Sequence, residues 1–199
     1  MKNLWPMILV LLLAFAWTPA SAEGADVYIL IGASNANDSV ASGFAARRSE
    51  LTGREAFVVN CSQAGSGLVH WREDGALYGE CLAKYQAEAW RGDLRGVVFV
   101  NGEYEARYGG AWAVPFGELV AALRRDLGNE YLPMAFARVH PRMPGFFTKR
   151  VWQEQTDFYA AGVSMVVTDD LYLRRRSWHY LSAESLALGK RLAEALPSP

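Results

Sequence analysis

Five short apolar runs punctuate the chain, at residues 27–31, 56–59, 96–100, 133–139 and 163–167. Each is nearly continuous and rich in Val, Ile or Phe, the pattern of strands buried on both faces. Between and after them lie longer stretches, at 38–48, 78–90, 112–127, 148–161 and 182–196. Their apolar positions recur every three or four residues, as at Leu119, Leu123 and Leu127, which predicts helices. Strands alternating with helices imply right-handed crossovers and a parallel sheet. The expected fold is a three-layer α/β/α sandwich around a central five-stranded parallel sheet. Residues 23–199 form a single domain in this reading, with no internal repeat or linker.

The first segment follows a different logic. Lys2 gives it a cationic start, residues 7–16 are unbroken apolar, and Ala20-Ser21-Ala22 is a small-x-small cleavage site. This is the pattern of a secretory signal peptide over residues 1–22. The apolar run is about half the roughly 20 residues a membrane helix needs, and Thr18 and Pro19 follow it. A periplasmic or secreted protein is therefore expected, with no stable membrane insertion after cleavage.

Composition narrows the function. Of 199 residues 51% are hydrophobic, too many for a disordered chain, and 20 basic residues stand against 21 acidic. That balance offers no field for steering nucleic acid, so no nucleic-acid partner is expected. Seven tryptophans are available for a core or a sugar-facing surface, and most are expected to pack internally. Export permits a disulfide between Cys61 and Cys81, although two buried thiols fit the sequence equally well. His70, His140 and His179 are scattered and no Cys-x-x-Cys pair exists, so neither a metal site nor a cofactor is expected.

In a parallel sheet, ligands collect beyond the carboxyl ends of the strands. Four such ends carry polar chemistry. The first run ends in Gly32-Ala33-Ser34-Asn35, where Ser34 is a nucleophile beside helix N-terminal amides or else Ser34, Asn35 or Asp38 merely caps the helix. The second ends in residues 60–67, Asn-Cys-Ser-Gln-Ala-Gly-Ser-Gly, leading to Trp71. The third ends in Asn101-Gly102-Glu103, and the fifth in Thr168-Asp169-Asp170, with His179 shortly afterwards. A histidine beside Ser34 would take its proton and later return it to the leaving group.

Together these blocks resemble the SGNH hydrolases, and among them the sialate O-acetylesterase and acetylxylan esterase-like carbohydrate esterases. The family pattern of Gly-Gln-Ser-Asn, an Asn-containing glycine block leading to Trp, Gln-Gly-Glu and a late Asp-x-x-His is matched in order by residues 32–35, 60–71, 101–103 and His179. Residues 150–155, Arg-Val-Trp-Gln-Glu-Gln, are similar to the helix before the family's fifth strand. The resemblance implies a flavodoxin-like SGNH hydrolase fold and a serine esterase acting on an acylated carbohydrate or other small ester. Ser34 would be its nucleophile and His179 its base then acid. The oxyanion would be held by the Ser34 and Gly65 N–H groups and the Asn101 side chain.

Four positions depart from that pattern. Ala33 replaces glutamine, Ala64 a glycine, and Asn101 the commoner glutamine. Arg176 stands where the family carries the aspartate that orients its histidine. Either a Ser-His dyad operates, or Glu103, Asp169 or Asp170 supplies the carboxylate, or activity is lost. The last case would leave a non-catalytic carbohydrate-binding or polysaccharide-assembly protein, and a GDSL-like lipase or thioesterase is the other alternative. Residues 174–176, three arginines, are either a solvated loop or a surface for acidic glycans.

Overall fold

The structure, a computed structural model, describes residues 24–197, so residues 1–22, where a signal peptide is expected, lie outside the described residues. Five parallel strands, β1 (Ala25–Gly32), β2 (Ala56–Asn60), β3 (Gly92–Val100), β4 (Met134–Ala137) and β5 (Val163–Val166), pair in the order β2-β1-β3-β4-β5. Among the described residues six α-helices accompany them: α1 (Asp38–Thr52), α2 (Ala76–Glu88), α3 (Glu103–Tyr108), α4 (Ala113–Asp126), α5 (Thr148–Asp157) and α6 (Ser182–Ala195). This is the expected three-layer sandwich in flavodoxin-like order. The chain leaves β1 toward one edge and returns to β3 on its other side, opening a switch point between the two carboxyl ends.

The runs in the inner strands β1, β3 and β4 are buried as predicted, whereas those in the edge strands β2 and β5 are only partly covered, Val59 and Val166 being their buried residues. Val27 to Leu30 are inaccessible, as are Val97 to Phe99, because helices cover both faces. One layer is α1 against α6. Gly43 and Gly189 permit their contact, since a methyl on Gly189 would lie 2.1 Å from the Val40 carbonyl oxygen, and one on Gly43 2.2 Å from that of Leu186. The buried Arg48 ties this layer to the sheet, donating to the Tyr28 hydroxyl at 3.0 Å and the Ala193 carbonyl at 3.3 Å. On the other face Phe99 and Phe136 pack with Phe116, Trp112 and Phe158 in one aromatic cluster.

Element bounds differ modestly from the sequence pattern. Gly53, in a left-handed conformation with its N–H on Ser49 O, ends α1 four residues later than expected. Helix α5 stops at Asp157 where Phe158 turns extended to join the aromatic cluster. Helix α3 was not anticipated: its six residues are too few to show a period.

Cys61 and Cys81 form a disulfide, which resolves the open choice between bridge and thiols. It ties the loop after β2 to α2 across a separation of 20 residues. Loop-closure entropy gives such a bridge about 3 kcal/mol. A Cys61→Ser/Cys81→Ser variant is accordingly expected to lose about that much stability, read as a lowered urea midpoint.

Candidate active site

Ser34 sits on the turn between β1 and α1, and this turn is held against β3. Ala33 N–H donates to Val100 O at 3.1 Å, and a methyl on Gly32 would fall 2.0 Å from the same oxygen. The loop after β2 closes over the same strand end. Gln63 N–H and Ser66 Oγ both donate to Gly32 O, at 3.0 and 3.2 Å, and Trp71 Nε1 donates to Ser66 Oγ at 3.0 Å. Thus the tryptophan that ends the second sequence block is a buried brace rather than a sugar platform.

His179 arrives from the opposite side on a hairpin. Leu173 and Tyr180 form an isolated antiparallel bridge, and Arg174 N–H donates to His179 O at 2.8 Å. The hairpin is clamped by Asn35, which is 1% exposed. Its side chain donates to Trp178 O at 2.9 Å and Glu103 Oε1 at 2.7 Å, and accepts from Tyr180 N–H at 3.3 Å. The residue after Ser34 therefore grips both neighbours of His179. His179 Nε2 consequently lies 2.8 Å from Ser34 Oγ.

The other imidazole nitrogen meets Ser177 Oγ at 3.3 Å, and that hydroxyl also accepts from His179 N–H at 3.1 Å. None of the three carboxylates considered for orienting His179 hydrogen-bonds it. Both oxygens of Asp169 are taken by Arg138 at 2.8 Å, and Asp170 pairs with Arg191 at 2.7 and 2.6 Å. Glu103 is committed to Asn35, and its Oε2 is buried without a partner. Burial raises the Glu103 pKa, opposed by the Asn35 bond and the nearby His179.

The serine and histidine open into a cavity of about 570 Å³, lined among others by Gly65, Tyr104, Arg107, Tyr108 and Trp178. Gly65 has a φ of 77°, a left-handed conformation that favours glycine. Neither Ser34 N–H nor Gly65 N–H has an acceptor among the described residues. Asn101 sits behind this wall: it is buried, and its Nδ2 donates to Ser66 O at 3.0 Å. Gln155 of α5 supports it from below, donating to Asn101 O at 3.1 Å and accepting from Val139 N–H at 2.7 Å. Two residues with unused N–H groups lining the cavity of a hydroxyl that meets an imidazole suit acyl transfer, where negative charge develops on a carbonyl oxygen.

Tyr104 and Tyr108 went unnoticed in sequence, although their i,i+4 spacing after the third block was the available signal. Their rings lie 4.9 Å apart on α3, and Arg107 lies over Tyr108 and Trp178, at 5.0 and 5.8 Å from their ring centroids.

Beneath them, Glu105 is buried and accepts from Leu68 N–H at 2.6 Å, while its Oε2 has no partner. Burial pushes its pKa up to about 7. An acid whose folded pKa lies above its unfolded value loses stability as pH rises between the two. Stability should fall by roughly 3 kcal/mol from about pH 4.5 to pH 7 on this account. Glu105→Gln should flatten that slope in urea titrations across the range.

A family model described as carbohydrate esterase, sialic acid-specific acetylesterase matches residues 37–198. The chain belongs to that carbohydrate esterase family. It is thus a carboxylic ester hydrolase by descent, and the match takes in His179 while beginning three residues after Ser34. No curated protein sequence matches the chain. Among solved structures, an Arabidopsis thaliana protein superposes with a TM-score of 0.76 at 16% identity, covering 86% of this chain and 97% of that one. A carbohydrate acetylesterase from Xanthomonas citri gives 0.63 at 16%, covering 85% and 55%. A lipase/acylhydrolase from Enterococcus faecalis gives 0.55 at 16%, covering 87% and 98%. These likenesses cover most of the chain and show that this member of the esterase family has the α/β fold of SGNH hydrolases.

Proposed function

We propose that this chain is an exported serine esterase that removes acyl groups, chiefly acetyl, from a carbohydrate. The observation that carries the reading is the 2.8 Å contact between Ser34 Oγ and His179 Nε2 at the mouth of a cavity with two unused backbone N–H groups. For Nε2 to accept the serine proton, Nδ1 must carry the other hydrogen and donate it to Ser177 Oγ. Ser34 then attacks the ester carbonyl while Nε2 takes its proton. The resulting oxyanion lies toward the N–H groups of Ser34 and Gly65, each such donor being worth about 3 kcal/mol. Asn101 contributes by fixing Ser66 and with it the Gly65 turn. Collapse breaks the ester C–O bond, and the imidazolium protonates the departing sugar oxygen. Water then attacks the acyl-serine by the reverse proton route and releases the acid.

Tyr104, Tyr108 and Trp178 offer ring faces for a sugar, beside the Arg107 guanidinium. The buried Glu103 carboxylate in the wall near Ser34 disfavours a long alkyl chain there. Export is supported by the signal-like pattern at residues 1–22 and by the disulfide, which persists in oxidising compartments.

The test compares p-nitrophenyl acetate with the octanoate. An acetyl preference of about tenfold or more, the discrimination that a few unfavourable methylenes produce, is expected. A preference for octanoate would mark a lipase or thioesterase, and glycan binding without turnover of either ester would mark a non-catalytic protein.

A further inference from the structure

The hairpin that carries His179 has a second face. There a cavity of about 290 Å³ is lined by Arg142, Arg174, Arg175 and Arg176, with His140 and Tyr172 among its other walls. No acid lines it. None of the four arginines has a carboxylate partner among the described residues, and Arg142 reaches only the Asp169 carbonyl at 3.5 Å. Asp169 and Asp170, which precede the lining residue Leu171 in the chain, are already paired with Arg138 and Arg191. Unpaired positive charge is therefore concentrated in one concavity of a chain whose formal net charge is -1.

Two further features mark the concavity as built. Arg176 has a φ of 52°, a conformation a non-glycine residue holds only at a cost. His140 Nδ1 accepts from Arg142 N–H at 3.0 Å, which leaves Nε2 bearing the hydrogen, and this nitrogen is buried without a hydrogen-bond partner. Tyr172, 66% exposed, adds a ring face at the rim.

We infer that this cavity is an anionic-sugar subsite, binding the carboxylate of a uronic-acid-type residue that neighbours the acylated sugar in the same glycan. The inference rests on the esterase reading for its substrate, and on the arginine cluster for its charge. Planar guanidinium groups match carboxylates in bidentate fashion, and an open ring beside them suits the sugar that bears the carboxylate. The subsite is close to the reacting ester: Ser177 lines it, and Ser177 Oγ, the His179 ring and Ser34 Oγ follow in a single hydrogen-bonded line. One glycan chain crossing the hairpin tip would reach both cavities.

The test uses an Arg142→Gln/Arg175→Gln variant, whose replaced side chains touch none of the reacting groups. Deacetylation of acetylated oligogalacturonate should fall about 100-fold in kcat/KM, at about tenfold per lost guanidinium–carboxylate contact, while acetylated xylo-oligosaccharide and p-nitrophenyl acetate are unaffected. The loss should sit in KM and shrink as salt is raised. Equal losses on acidic and neutral glycans, or none on either, would overturn the subsite while leaving the esterase intact. Calorimetry of unacetylated oligogalacturonate on the Ser34→Ala chain separates the two readings. Binding abolished by the double substitution supports the subsite even without turnover, and absence of binding to the unsubstituted arginines refutes it.

Discussion

Ser34→Ala is expected to remove essentially all hydrolysis of p-nitrophenyl acetate, by a factor of about 10⁴ or more in kcat, the scale on which acyl-transfer enzymes lose rate without their nucleophile. The substitution deletes a single oxygen. Ser34 is only partly buried, and its hydroxyl meets His179, so the fold should survive with an unchanged urea midpoint. The residual rate should come from the two backbone N–H groups, which the alanine variant retains. Turnover near the parent level would remove Ser34 from the mechanism.

The second large effect concerns His179. Its alanine variant should lose about 10³ to 10⁴-fold in kcat, since an unassisted serine hydroxyl stays protonated at neutral pH. Positioning variants should fall between the parent and this limit. Asn35→Ala releases the hairpin on both sides of His179 while leaving the two reacting groups present, and displacement of about 1 Å costs about 100-fold. The Nδ1 partner gives the complementary result. Ser177→Asp replaces a neutral acceptor with a charged one, whose bond to the developing imidazolium is stronger by about 1.4 kcal/mol, and should raise kcat about tenfold. An inactive His179→Ala with a fully active Asn35→Ala would show that the clamp is dispensable.

Much of this arrangement was legible in the chain. The inner runs of Val, Ile and Phe are satisfied by burial on both faces, and a parallel sheet follows from the helices between the strands. Its order then places the ends of β1 and β3 side by side, which is why Gly32-Ala33-Ser34-Asn35 and Asn101-Gly102-Glu103 share one opening. The orienting partner of His179 was not legible. The family pattern calls for a carboxylate, but Asp169 and Asp170 sit where arginines from β4's end and α6 reach them first. The hydroxyl that fills the position lies two residues before the histidine, brought round by the hairpin. Asn35 likewise reads as a helix cap, yet Asn37 takes that role, accepting from Ser39 and Val40 N–H. What sets Asn35 apart is its grip on the backbone of Trp178 and Tyr180, on either side of His179, which no local pattern encodes.

The most direct test of the serine mechanism is peptide mass mapping after treatment with a fluorophosphonate, which only a serine hydroxyl activated beside a base and an oxyanion site attacks at a useful rate. The expected result is one adduct on the peptide containing Ser34, absent from Ser34→Ala and strongly slowed in His179→Ala. An unlabelled parent that still hydrolyses p-nitrophenyl acetate, or an adduct on a different serine, would contradict it.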